Sequence, residues 1–118
     1  MKSGMELINE AKRRITEVTP QQVRERKANG EPMVLLDVRE PNEWNVGRLP
    51  GAVHIPRGTM ETAIEARVPR DATVVIYCAS GNRSALAADT LQQMGYTNVA
   101  SLAGGFRDWA GSGGPVEG

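Results

Sequence analysis

Two short apolar runs, separated by helical patterns, constrain the fold of this chain more than any other feature. Residues 33–38 read Met-Val-Leu-Leu-Asp-Val, and residues 73–77 read Thr-Val-Val-Ile-Tyr. Short runs that are apolar throughout are typical of strands covered on both faces, as in a parallel sheet. Val99–Leu102 predicts a further strand, and helical patterns lie between the runs. This alternation predicts an α/β fold with a mostly parallel sheet.

The helices are predicted from apolar spacing and from signals at their ends. Leu7, Ala11, Ile15 and Val18 follow the helical period, so we expect one amphipathic helix over residues 5–18, before the core. Turn and capping residues bound the other helical segments. Further helices are predicted over residues 20–28, 41–46, 62–68, 84–94 and 104–110.

The composition fits one small domain and argues against several classes of protein. The 118 residues include 14 Lys and Arg against 14 Asp and Glu, so there is no basic surplus for nucleic acid or a membrane surface. One Cys and one His cannot form a disulfide framework or a Cys/His zinc site, and no metal is expected. The sequence has neither a long apolar span nor a signal-peptide core, which predicts a cytoplasmic protein with a reduced thiol.

The turn after the second apolar run carries the clearest chemical signal. Residues 78–84 read Cys-Ala-Ser-Gly-Asn-Arg-Ser, between a strand and a predicted helix. Ligands bind at this end of the strands in open α/β sheets, where a helix N-terminus presents unpartnered amides. These amides and the Arg83 cation are expected to lower the pKa of Cys78 and yield a nucleophilic thiolate. The alternative is an inert core cysteine, but the polar loop argues against it.

Four sequence blocks resemble those of the rhodanese-like domains, the sulfurtransferase family. In chain order they are residues 36–44, residues 47–56, the Cys78 loop and residues 102–109. Four blocks in register are a much more specific signal than the loop alone. The resemblance covers about residues 17–116 and implies a single domain, preceded by an N-terminal extension over residues 1–16. It implies a mostly parallel five-stranded sheet flanked by helices on both faces.

The resemblance also implies a reaction that needs no cofactor. The Cys78 thiolate takes a sulfur from thiosulfate or a persulfide donor and becomes a persulfide. It then passes the sulfur to cyanide or to a thiol, and the thiol acceptor can belong to a small molecule or to a protein. Many family members carry a basic residue directly after the cysteine, and Ala79 at this position favours a bulkier or neutral persulfide donor. The implied substrate-binding cradle consists of Ala79, Ser80, Gly81, Asn82, Arg83 and Ser84. Within it, the planar guanidinium of Arg83 is suited to an oxyanion.

Three further residues have a structural and a functional interpretation. Asp37 and Arg39 follow the first apolar run, and we expect them to pair with each other or with the backbone of the loop. The alternative role for either side chain is to support and position the loop or to position the donor. His54 is the only histidine, and an exposed or capping role is favoured over that of a general base.

Three other functions stay open from the sequence. The first is a sulfur relay that acts on a protein partner, and the second is a module that only binds a partner. The third is a phosphatase or arsenate reductase, whose Cys-x5-Arg loop cradles a tetrahedral oxyanion. Only four residues separate Cys78 from Arg83, so the smaller cradle suited to sulfur is favoured.

Overall fold

A computed structural model describes residues 1–118 and shows a five-stranded, all-parallel sheet between two layers of helices. The spatial order of the strands is β1-β5-β4-β2-β3, so β4 lies at the centre. The predicted α/β fold class is therefore confirmed. The strands are β1 (Thr16–Val18), β2 (Val34–Asp37), β3 (Val53–His54), β4 (Val74–Tyr77) and β5 (Val99–Leu102).

Six α-helices accompany the strands, and five of them lie within two residues of their predicted bounds. Helix α2 shows the local rules clearly: Thr19 and Gln22 form a capping box, Pro20 occupies the first turn, and Gly30 follows the end with a φ of 76°. No helix combines the length and the apolar character needed to span a membrane. The helices are α1 (Gly4–Arg14), α2 (Pro20–Ala28), α3 (Pro41–Val46), α4 (Met60–Arg67), α5 (Asn82–Gln93) and α6 (Gly105–Gly111).

The prediction of one helix over residues 5–18 is wrong at its C-terminal end. Helix α1 ends at Arg14, and the chain then forms the edge strand β1, parallel to β5. Ile15 and Val18 pack on opposite faces of the sheet, so their helical spacing does not reflect a shared helix face. A three-residue strand is too short to show its own period, which explains the error. The domain division at residues 16 and 17 stays a prediction.

The two faces of the sheet bury separate apolar clusters. Leu36 and Ile76 belong to the cluster under α4 and α5, whereas Leu35 and Val75 belong to the cluster under α2 and α6. Alternate residues of β2 and β4 point to opposite faces, which explains why both runs are apolar at consecutive positions, with Asp37 at the end of β2 as the exception. Cys78 extends the first cluster beyond the end of β4. The sheet thus delivers the cysteine to its C-terminal edge.

Candidate active site

Cys78 lies directly after the central strand, in the turn that leads into α5. Its side chain is 1% exposed, and α5 begins four residues later, at Asn82. Gly81 makes the turn with a φ of 101°, in the left-handed region that favours glycine. A Cβ atom at Gly81 would lie 3.3 Å from the amide nitrogen of Gly104, so the loop is also closely packed. The sequence therefore wraps the loop around the sulfur.

Backbone amides of the loop point at the sulfur. The distance from Sγ of Cys78 is 3.1 Å to the Gly81 amide nitrogen and 3.4 Å to that of Ser84. The hydroxyl oxygen of Ser84 lies 3.5 Å from the same sulfur. Burial by itself raises the pKa of Cys78, but hydrogen bonds from the Ser84 hydroxyl and from the Ser84, Ser80 and Gly81 amides outweigh it and lower the pKa below that of an ordinary thiol. The arrangement stabilises a thiolate.

The loop cation is paired with an acidic residue that sequence reasoning missed. The guanidinium of Arg83 donates two hydrogen bonds to the Glu43 carboxylate on α3, at 2.8 and 3.0 Å. Arg83 holds the pKa of Glu43 at about 2, so this carboxylate is charged at neutral pH. The pair cancels most of the positive charge that Arg83 would present. Glu43 lies in the sequence block over residues 36–44, next to Trp44, and its negative charge was the only sequence signal that it could pair with Arg83.

The predicted pairing of Asp37 with Arg39 is confirmed. Both side chains are buried, and the guanidinium donates to both carboxylate oxygens, with a shortest N–O distance of 2.7 Å. The same guanidinium donates to the Gly47 carbonyl at 2.6 Å and lies 4.4 Å from the ring centroid of Phe106. The Phe106 amide in turn donates to the Cys78 carbonyl at 2.8 Å. The pair thus packs against a residue that anchors the base of the loop.

His54 is half-buried and packed, so the expectation of an exposed or capping histidine is corrected. Its ring stacks on Trp44 with centroids 4.7 Å apart and an interplanar angle of 9°. Its Nε2 lies 2.8 Å from the Arg39 carbonyl oxygen. These contacts give His54 a structural role at the end of β3.

The predicted cradle residues take different positions. Gly81 and Ser84 contact the sulfur, while the Ala79 carbonyl accepts a hydrogen bond from the Arg107 amide of α6. Asn82 occupies the first turn of α5, and its side chain forms no hydrogen bond with the sulfur. Sequence reasoning also missed Ser101 on β5, whose Oγ lies 2.8 Å from that of Ser84. The available signal was a hydroxyl within an otherwise apolar strand.

Known proteins resemble this chain over most of its length. The chain matches the model of the rhodanese-like domain over residues 19–112. The protein belongs to the rhodanese-like domain family. It is 36% identical over 102 residues to a sulfurtransferase from Allochromatium vinosum, and the matched region covers 86% of this chain and 94% of that protein. It is also 38% identical over 92 residues to the thiosulfate sulfurtransferase GlpE from Pseudomonas aeruginosa, covering 78% and 81% of the two chains.

Two other similar proteins are a much longer relative and a solved structure of nearly the same length. The chain is 35% identical over 94 residues to the probable adenylyltransferase/sulfurtransferase MoeZ from Mycobacterium tuberculosis, covering 79% of this chain but only 24% of that protein. A structure from Rhodopseudomonas palustris, RPA3614, superposes with a TM-score of 0.89 at 35% identity, covering 99% and 96% of the chains. RPA3614 is described as of unknown function and a possible tyrosine phosphatase. The family and the relatives named sulfurtransferases support sulfur transfer in general.

Proposed function

We propose that this protein is a sulfurtransferase that carries one sulfur atom on Cys78 as a persulfide. The observation that carries the proposal is the buried sulfur that accepts hydrogen bonds from the Gly81 and Ser84 amides. Amides at the start of a helix stabilise negative charge, and they would do so for a thiolate and for a persulfide anion. The single cysteine of the chain supplies the only thiol for this chemistry.

The reaction balances as two displacements on sulfur. The Cys78 thiolate attacks the outer sulfur of the donor, a new S–S bond forms, and the donor's own bond to that sulfur breaks. The leaving group departs with the electron pair, as sulfite from thiosulfate or as a thiolate from a persulfide. An acceptor thiolate or cyanide then attacks the outer sulfur and releases the Cys78 thiolate. Neither step requires a cofactor or an external redox partner.

The charges around the loop favour a persulfide donor over thiosulfate. Arg83 is bound by Glu43, and Ala79 adds no second cation. Thiosulfate carries two negative charges and gains most from an uncompensated cation, whereas a persulfide carries fewer. The similarity to GlpE, named a thiosulfate sulfurtransferase, keeps thiosulfate as the second candidate donor.

Mass spectrometry of the intact protein tests the proposal directly. Incubation with a persulfide donor or with thiosulfate should add about 32 Da, the mass of one sulfur atom, and a reductant should remove it. The Cys78→Ser variant is the matched control and should gain nothing. Absence of a gain with both donors, or an equal gain in the control, would refute the proposal.

Two alternatives are separated by the same preparation. A relay that acts on a protein partner would show the mass gain but transfer the sulfur poorly to small thiols. A phosphatase, the activity suggested for RPA3614, would instead hydrolyse an aryl phosphate in a Cys78-dependent manner. The geometry argues against the phosphatase, because the Arg83 guanidinium is engaged by Glu43 rather than directed at an oxyanion.

A further inference from the structure

A second hydroxyl lies behind the one that contacts the sulfur. Ser101 on β5 is fully buried, and its Oγ lies 2.8 Å from the equally buried Oγ of Ser84. The Ser84 oxygen lies 3.5 Å from Sγ of Cys78. A buried hydroxyl costs free energy unless it is hydrogen-bonded, and Ser101 has Ser84 as its side-chain partner. The three groups form a continuous chain from β5 to the sulfur.

The direction of the hydrogen bonds among Cys78, Ser84 and Ser101 depends on whether the sulfur carries a proton. Each serine hydroxyl has one proton to donate, and a thiolate can only accept. When Cys78 is a thiol, its proton can point to Ser84, and Ser84 can donate to Ser101. When Cys78 is a thiolate, Ser84 must direct its proton to the sulfur, and its oxygen is then free to accept from Ser101. The serine–serine hydrogen bond therefore reverses its direction with the charge on the sulfur.

We propose that Ser101 is a positioning residue that orients the Ser84 hydroxyl as a donor to the Cys78 sulfur. By donating its own proton to the Ser84 oxygen, Ser101 polarises the Ser84 hydroxyl and strengthens the hydrogen bond that this hydroxyl donates to the anionic sulfur. The same orientation serves the persulfide anion, and this part of the inference rests on the proposed function. Its effect on the thiolate stands independently of sulfur transfer.

The charged groups near the sulfur form no part of the hydrogen-bonded series that joins Ser101, Ser84 and Cys78. Arg83 is the charged side chain that interacts with Cys78, and it is paired with Glu43. Asp37 and Arg39, at the end of β2, are bonded to each other. Removal of the Ser101 hydroxyl therefore perturbs the donor to the sulfur without changing any ion pair at the site.

The test measures the pKa of Cys78 from the pH dependence of its alkylation by iodoacetamide. Ser101→Ala should raise this pKa by about 0.5–1 unit, which means a roughly three- to tenfold smaller thiolate fraction below it. In a Ser84→Ala background the same substitution should cause no further rise, because Ser101 acts through Ser84. Thr90→Ala, which removes a half-buried hydroxyl farther along α5, is the control and should leave the pKa unchanged.

A matched pair covers the case in which Ser101→Ala does not fold. Ser101→Thr keeps a hydroxyl and Ser101→Val removes it at nearly the same shape, so the pKa should be higher in the valine variant. An unchanged pKa in Ser101→Ala, equal values in the Thr and Val pair, or an equal rise with and without Ser84 would each overturn the inference. Persulfide formation is read separately by mass, so a protein that accepts no sulfur yet shows the pKa pattern refutes only the proposed function.

Discussion

Replacing Glu43 with glutamine releases the loop cation with little change of shape. The carboxylate that binds Arg83 also accepts a hydrogen bond from the Glu40 amide at 3.0 Å, and the glutamine oxygen can keep this bond. The substitution therefore removes one negative charge while helix α3 retains its cap. We expect Glu43→Gln to improve the use of thiosulfate relative to a persulfide donor that has no other charged group.

The size of the effect follows from Coulomb's law with solvent screening. The Arg83 side chain is 37% exposed, so an effective dielectric constant between about 40 and 80 is appropriate. One additional negative charge on the donor, at about 6 Å from the released cation, then gains about 0.7–1.4 kcal/mol. The ratio of kcat/KM for thiosulfate to that for the persulfide donor should rise roughly three- to tenfold.

Steady-state assays with both donors, at low and at high salt, measure this ratio. The rise should shrink at high salt, because screening weakens a partly exposed charge. Glu61→Gln is the matched control, since it removes a similar ion pair with Arg57 on the surface at α4. A ratio that stays unchanged in Glu43→Gln, or that rises equally in Glu61→Gln, would refute the claim that Glu43 screens the loop cation.

Three further perturbations test the loop and its supports. Gly81→Ala should cost about 1–2 kcal/mol in the free energy of unfolding because of its left-handed backbone, and it should slow alkylation of Cys78, whose amide donor it displaces. Arg39→Met leaves the Asp37 carboxylate buried without its partner and should lower the free energy of unfolding by about 3–5 kcal/mol, measured by urea denaturation. The pKa of Glu43 is lowered in the fold to about 2 from its ordinary 4.5, so its stabilising effect is complete above pH 4.5 and is lost as the pH falls through about 2. Wild type should thus exceed Glu43→Gln in stability by about 0.5–1 kcal/mol at neutral pH, and this difference should vanish below about pH 2.

Local features made the geometry of the Cys78 loop predictable from the sequence. An apolar run, a cysteine, a glycine and a helix start lie within a few residues, and their geometry is set by nearby backbone. Helix α2 was predictable for the same reason, since its capping residues adjoin it. Strands β1 and β3 have three and two residues, and only their pairing with distant strands defines them. Such short segments carry no periodicity that a sequence pattern can detect.

The partners of the loop could not be predicted because they come from other elements. Glu43 lies 40 residues before Arg83, and Ser101 lies 17 residues after Ser84. A sequence shows that these side chains are acidic or hydroxylic, but the strand order decides which of them meet. The crossing from β4 to β5 brings Ser101 beside the start of α5, and the block after β2 brings Glu43 to the loop.

Burial and ionisation of Cys78 oppose each other, and the loop resolves that opposition. The sulfur belongs to the apolar cluster on one face of the sheet, which by itself favours the neutral thiol. Exclusion of water also strengthens each hydrogen bond that reaches the sulfur, because there is little solvent to screen it. Amides do not titrate in the range of pH where proteins are folded, so their support for the anion persists where that of a histidine would be lost. A sulfur held in this way is shielded from solvent while its anionic form is stabilised, which is what the proposed persulfide carrier requires.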